Sequence, residues 1–349
     1  MPETRSIAGL TTFAQALFAA AGLEADKAAS VARLLVLTDA MGHRTHGVAM
    51  LPLYLDEIAK GNMTTAGTYE VVRDTGATAV WDGGYLPGHW LMEQAVAVAL
   101  ERVGQLGVVS IALRRSHHIG CLAAHLKAVA DSGCVASLYN SDPVGRFVAP
   151  YGGTEPLFTP NPFAYAYPTA GNPVLVDICA SITTVSMTRQ HAAEGTRFPH
   201  PWLLDADGRP TTDPAVLEQQ SPRGSIQLIG GQEYGHKGFG LALVVEALSQ
   251  GLSGHGRYEG TTRWGGNVFL QVIDPEAFAG RDALVRETTH LADACRANRP
   301  IDPARPVRLP GDAAAQSLAA AAADGIVVAD RHWAALVARA GALGVEVPA

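Results

Sequence analysis

The strongest constraint on the fold is a change of hydrophobic period along the chain. Helix-period apolar faces occupy both ends, and short strand-like apolar runs alternate with helical ones between them. Phe13, Leu17 and Phe18 ahead of Gly22 predict one helix, and Val31, Leu34 and Leu35 within 28–37 predict a second. A third places Val48, Leu51, Leu55 and Ile58 on one face. It must begin shortly after Gly47, because Pro52 is tolerated only in a first turn, and Gly61 can close it in the left-handed conformation.

From about Tyr69 the period shortens. VVRDTGATAVWDGG reads as strand, turn, strand, with Asp74, Thr75 and Gly76 at the turn. A helix over 88–103, a strand over 108–113, the polar loop RRSHHIG, a helix over 121–130 and a strand over 134–139 follow, then the runs FAYAYPT and VLVDI. After DPEAF, helices return over 283–298, in an alanine-rich segment after Gln316, and over 331–341. The expected fold is therefore α/β, with 1–70 and 275–349 forming a helical lobe and 71–274 a mixed α/β lobe. Two proline- and glycine-rich segments, SDPVGRFVAPYGG and RFPHPWLLDADGRPTTDP, are long enough to predict function rather than linkage.

Composition narrows the classes. With 349 residues, 48% hydrophobic and 17% charged, the chain can bury a large core. Its net charge of -7 is scattered, which gives no footprint for nucleic acid or an anionic membrane. No apolar run approaches the roughly 20 residues needed to span a bilayer. The four cysteines, 121, 134, 179 and 295, form no CxxC pair, so reduced thiols and a cytoplasmic location are expected.

Four stretches carry chemistry. In GHRTHG, His43 and His46 flank Arg44 and Thr45 just ahead of the third helix. An imidazole there faces the positive helix end, which favours its neutral form and suits it to exchanging a proton with an alcohol or carbonyl, with Thr45 able to pass that proton on. Capping the helix is the plainer role. A zinc site lacks a third ligand at a recognisable spacing, so no metal is expected. In GGQEYGHKGFGLALVVEAL, glycines 230, 231, 235, 238 and 240 with Lys237 suit an anion, although neither GxxxxGK[ST] nor GxGxxG matches; a glycine-rich turn with a surface lysine is equally open. Asp177 ends a strand, where it can hold an imidazole or a ribose hydroxyl or simply satisfy turn amides, and Ser181 can cap the following helix. In RRSHHIG, His118 is favoured over His117 as a ligand contact at a strand end.

Taken in order, these stretches resemble the malate/L-lactate dehydrogenase family of NAD(P)-dependent oxidoreductases, the type lacking a Rossmann fold. The carriers are Thr45-His46-Gly47, the loop His117-His118-Ile119-Gly120, and Asn161-Pro162 through Pro168-Thr169. Asp177 with Ser181, the run from Asp205 to Pro214, HKGFGLAL from His236, and DPEAF from Asp274 complete the series. The resemblance spans roughly residues 10 to 345. It implies a homodimer, a non-Rossmann mixed sheet binding NAD or NADP, and a small 2-hydroxy or 2-oxo acid substrate.

By position, His46 is similar to the family's proton donor and acceptor, assisted by Asp177. Cofactor contacts map to His118, Asn161, Val176, Asp177, Ile178, Ser181, Ile182, His236, Lys237, Gly238, Pro310, Gly311 and Asp312. Many members carry arginine four residues after that histidine, a clamp for the substrate carboxylate. Here Met50 stands there, leaving Arg44, Arg146 or Arg189 to take over, with His118 also beside the substrate. Three other outcomes stay open: a cyclic imino-acid reductase, a metal-dependent hydrolase or lyase using the histidines, and a non-catalytic dimeric binding protein on the same fold.

Overall fold

The computed structural model describes residues 4–219 and 221–348. Helices α1 (Ile7–Ala20), α2 (Ala25–Ala40) and α3 (Leu51–Ala59) form at the amino-terminal end. Each repeats apolar side chains every three or four residues, so each has one face to bury. Those faces meet: Leu10, Phe13 and Leu17 of α1 interlock with Val31 and Leu35 of α2 and with Leu51 and Tyr54 of α3. The same core takes in Ala321, Leu336 and Ala340 from the last two helices, α9 (Asp312–Asp324) and α10 (Asp330–Leu343). Strand β1 (Thr4–Arg5) pairs with β12 (Ile326–Val327), so backbone hydrogen bonds also tie the two ends. Pro52 sits in the first turn of α3, and Gly61 takes φ 72° just past its end, as their chemistry requires.

The sheet is built from β2 (Glu70–Asp74), β3 (Thr78–Asp82), β4 (Val108–Ser116), β5 (Val135–Ser141), β6 (Pro162–Tyr167), β7 (Val174–Cys179) and β11 (Gly266–Ile273). Their order is β2-β3-β4-β11-β5-β6-β7. Only β3 and β4 run parallel, joined by the crossover helix α4 (Gly88–Leu106); every other neighbouring pair is antiparallel. The fold is thus α/β on a mixed sheet. Helices α4 and α5 (Leu122–Asp131) cover it over a core that includes Trp81, Leu91, Ile111, Leu126, Leu138 and Leu270.

Three departures from the sequence reading have physical causes. Strand β4 runs to Ser116 because it stays paired there with Gly266 of β11, and Asp82, at the end of β3, accepts from both Arg114 Nε and Arg115 Nε at 2.8 Å. The polar loop therefore shrinks to 117–121. The two proline- and glycine-rich segments form a small unit of their own. Helix α6 (Val185–Ala193) and the short strands β8 (Leu203–Leu204), β9 (Pro210–Thr211) and β10 (Ser225–Ile226) surround Phe158, Phe198, Leu203 and Leu217. Helix α7 (Gly231–Glu246) leaves that unit. Finally α8 (Arg281–Arg296), grouped by sequence with the terminal helices, hydrogen-bonds to the β6–β7 turn: Thr288 Oγ1 donates to the Pro168 carbonyl at 2.8 Å.

Candidate active site

The loop between α2 and α3 carries His46. Asp39, near the end of α2, accepts from the Val48 amide at 2.7 Å, and a Cβ on Gly47 would lie 2.2 Å from its carboxyl group. No other residue fits at Gly47, so the loop is pinned against that carboxylate. Thr45 Oγ1 lies 3.0 Å from His46 Nδ1 and orients the ring. Burial holds the His46 imidazole below its ordinary pKa, Asp177 opposes this, and His43 adds to the lowering. Neutral at rest, it still has a carboxylate to favour its cation.

His118 extends the site. Its ring stacks on His46 at 5.9 Å and 25°, and on Trp264 at 5.4 Å and 26°. The Tyr54 hydroxyl, buried under α3, lies 2.7 Å from His118 Nδ1. Burial also keeps His118 well below its usual pKa, with His46 and His117 adding to the effect. Behind it His117 and His89 are buried, and among the described residues no ring nitrogen of either has a hydrogen-bond partner, although Glu57 stands 4.0 Å from His117 Nε2. Burial pushes the pKa of His117 down to about 4 and keeps that of His89 well below its usual value.

Asp177 sits in β7, opposite Ala164 of β6. Its Oδ2 accepts from the Ala123 amide at 2.9 Å and from the Cys121 thiol at 3.3 Å, so it caps the start of α5 while its charge bears on His46. Beside it opens a cleft of about 330 Å³ lined by His43, Val176, Asp177, Ile178, Pro310 and Gly311, among others. The Pro310 carbonyl accepts from the Leu175 amide at 3.1 Å, which stitches the turn before α9 onto β7. Gly311, at φ 100°, has no room for a Cβ, which would lie 2.9 Å from the Pro173 carbonyl. His46 follows His43 in the same loop, its amide donating to the His43 carbonyl at 2.9 Å.

Other expected site residues lie elsewhere or are otherwise engaged. Asn161 is wholly buried: its amide donates to the Ala242 carbonyl and Glu246, and its oxygen accepts from Ser141 and Thr159. That side chain has no capacity left for a cofactor. Asp312 is held by Arg296 at 2.8 Å and by the Leu309 amide at 2.9 Å. Ser181 does not cap α6; Thr184 does, accepting from Met187, while Ser181 donates to the Thr183 carbonyl. Ile182 hydrogen-bonds through its amide to the Gln227 carbonyl.

The glycine-rich stretch is mostly helix, not an open cradle. Gly238 packs onto the backbone of Ile229 and Ala180, His236 lies against Tyr151, and Lys237 reaches over the Tyr234 ring. Of the candidate clamps, Arg44 is exposed and its charge bears on Asp39. Arg189 pairs with Glu218, and Arg146 is exposed. Met50 is half-buried against the helical core. Among the described residues, no group of three His, Cys, Asp or Glu side chains is arranged to hold a metal ion.

Sequence reading did not single out Tyr54, Trp264 or Asp39. Tyr54 left one signal: a hydroxyl on an otherwise apolar helix face needs a partner.

A family model described as malate/L-lactate dehydrogenase matches residues 6–337. The chain is similar to L-lactate dehydrogenase of Cupriavidus necator, with 31% identity over 98% of this chain and 99% of that one. It is also similar to hydroxycarboxylate dehydrogenase B of Escherichia coli K12, with 31% identity over 87% of this chain and 84% of the other. Among solved structures, delta1-piperideine-2-carboxylate reductase from Pseudomonas syringae pvar. tomato superposes with a TM-score of 0.84 at 26% identity, covering 97% of this chain and 99% of that one.

Proposed function

The chain belongs to the malate/L-lactate dehydrogenase family, and from that premise we propose that it moves a hydride between NAD or NADP and C2 of a small 2-hydroxy or 2-oxo acid, with His46 as proton donor and acceptor. It is an oxidoreductase of the kind acting on CH–OH groups of small molecules and using a nicotinamide cofactor. The observation that carries the finer reading is the desolvated His46 imidazole, favoured as a cation by Asp177 at the edge of the Pro310–Gly311 cleft.

The residues fit a dinucleotide: a carboxylate in β7 for hydroxyl groups, beside a cleft walled by the Pro310–Gly311 turn, which Gly311 lets pack closely on β7. When bound, the nicotinamide supplies or accepts the hydride. His46 does the rest of the chemistry. In oxidation its neutral imidazole takes the hydroxyl proton; in reduction its cation returns a proton to the carbonyl oxygen. Thr45 fixes the ring so that one nitrogen stays aimed. The nearby His118 provides a second polar contact for substrate or cofactor.

We further assign a homodimer in the cytoplasm. Helix α7 exposes Leu241, Leu243 and Val244, an apolar face suited to a second copy. No helix among the described residues is long and apolar enough to cross a membrane, and all four cysteines are free.

Titration with NADH and NADPH, read by nicotinamide fluorescence, tests the reading, followed by turnover of a 2-oxo acid panel. No binding of either cofactor at millimolar concentration overturns it. The panel includes a cyclic imino acid, because the reductase-like fold neighbour favours that second reading.

A further inference from the structure

Tyr54 is wholly buried, and His118 Nδ1 is the one hydrogen-bond partner its hydroxyl has among the described residues. Two arrangements are possible at that contact. In one the phenol donates to an unprotonated Nδ1. In the other Nδ1–H donates, and the phenol hydrogen is left buried without an acceptor. Stranding a buried donor is costly enough to favour the first arrangement by roughly tenfold or more. Burial also pushes the phenol pKa far up, so the hydrogen stays in place. The remaining proton of a neutral His118 then sits on Nε2. That nitrogen is not among the buried atoms lacking partners, and no described residue hydrogen-bonds it, so in a half-buried ring it keeps some accessible surface for a ligand. The rings of His46 and Trp264 lie near-parallel to the His118 ring at 5.9 and 5.4 Å, and with the Tyr54 contact they restrict its rotation.

We propose that Tyr54 is a positioning residue that fixes His118 as its Nε2–H tautomer, making it a neutral hydrogen-bond donor to the substrate carboxylate beside His46. This rests on the 2-oxo or 2-hydroxy acid reading given above. The surroundings explain why such a donor is needed. The charged groups bearing on His46 are Asp177 and His43, Met50 occupies a helix position packed on apolar core, and Arg44 bears on Asp39 instead. Among the described residues no guanidinium bears on His46 or His118, and Arg263, which bears on His117, is held by the carbonyls of Asn62 and Gly61. A neutral donor binds such an anion less tightly than an arginine fork, which favours a substrate with a single carboxylate over a dianion.

The test begins with magic-angle-spinning NMR of the full-length protein labelled with ¹⁵N-histidine, with His118 assigned through His118→Gln. Protonated Nε2 and unprotonated Nδ1 are expected in the wild type, and a tautomer mixture in Tyr54→Phe. Tyr54→Phe should also raise KM for the 2-oxo acid roughly tenfold, with kcat and cofactor Kd close to wild type. His118→Gln, whose amide restores a donor near the Nε2 position, should hold KM well below that of His118→Ala. Protonation of Nδ1 in the wild type overturns the proposal, as does a Tyr54→Phe tautomer identical to wild type. So does a change confined to cofactor affinity. Should the wild type turn over no 2-oxo acid, the activity reading fails, while the NMR result still decides the role of Tyr54.

Discussion

Two buried polar clusters lie on different parts of the sheet and are built on opposite rules. Around Asn161, the polar side chains pair with one another. Ser141, Thr159, Glu246, Gln250 and Arg257 share donors and acceptors, and Arg257 also donates to the carbonyls of Asp142 and Gly145. Around His46 the groups are under-paired: among the described residues no ring nitrogen of His117 or His89 has a hydrogen-bond partner, though Glu57 stands 4.0 Å from His117 Nε2, and burial depresses all three imidazoles. A saturated network is a bracket, because each group would be costly to move. An under-satisfied one stores the capacity to bind or exchange a proton. The difference separates structure from chemistry more sharply than residue type does.

The largest test of that distinction is His46→Ala. It should lower kcat about 10²- to 10⁴-fold, the usual share of a general acid and base, with cofactor Kd and thermal midpoint near wild type. Stopped-flow kinetics and fluorescence titration read the two quantities. If the midpoint collapses and kcat of the folded fraction is normal, the histidine cluster is a bracket as well.

Asn161→Ala is the mirror experiment. It strands the Thr159 hydroxyl, takes a donor from Glu246 and from the Ala242 carbonyl, and puts alanine at φ 50°, where asparagine is tolerated better. A loss of roughly 3 kcal/mol in denaturant unfolding is expected, with cofactor Kd little changed. A large rise in Kd without loss of stability would return Asn161 to the cofactor site.

These outcomes also mark how far sequence could reach. Period and turn chemistry made the order of helices and strands legible, because both are local. The position of β11 between β4 and β5 was not, since nothing in residues 266–273 names their neighbours. The ordered motifs led to His46 and Asp177, which the fold brings into electrostatic reach. Motifs carried no sign that the Asn161 and Asp312 side chains are already paired. A polar side chain reads the same whether free or already paired, and the Glu246 that holds Asn161 is 85 residues away. Tyr54 was hidden for the converse reason. A tyrosine on an apolar helix face reads as core, and its partner lies 64 residues away.

Asp177→Asn sharpens the comparison within the reactive cluster. It removes the one negative charge that raises the His46 pKa and leaves burial and His43 unopposed, so that pKa falls further. The pH limb assigned to His46 should then move to lower pH in both directions. Oxidation, which needs the neutral ring, begins at lower pH; reduction, which needs the cation, is also lost at lower pH. An unmoved limb in pH–rate profiles would detach Asp177 from the chemistry and leave it only as the cap of α5.

The smallest effect is expected at Asp39, which belongs to neither class cleanly. It is paired to the Val48 amide, yet burial raises its pKa from 3.8 to about 7, against the pull of that amide and of Arg44. Because the folded value lies above the unfolded one, the stability it contributes is fully present below about pH 4 and is lost as pH rises through about 7. Asp39→Asn stays neutral throughout and keeps an oxygen for the Val48 amide. The melting-temperature gap between variant and wild type should therefore widen from about pH 4 to 7 and level off above, reaching a few degrees at most. A gap that does not change with pH would mean that Asp39 stays ionised in the folded chain. The carboxylate pinning the His46 loop would then work as the Asn161 network does, by complete pairing, and the boundary between the two clusters would run through the loop itself.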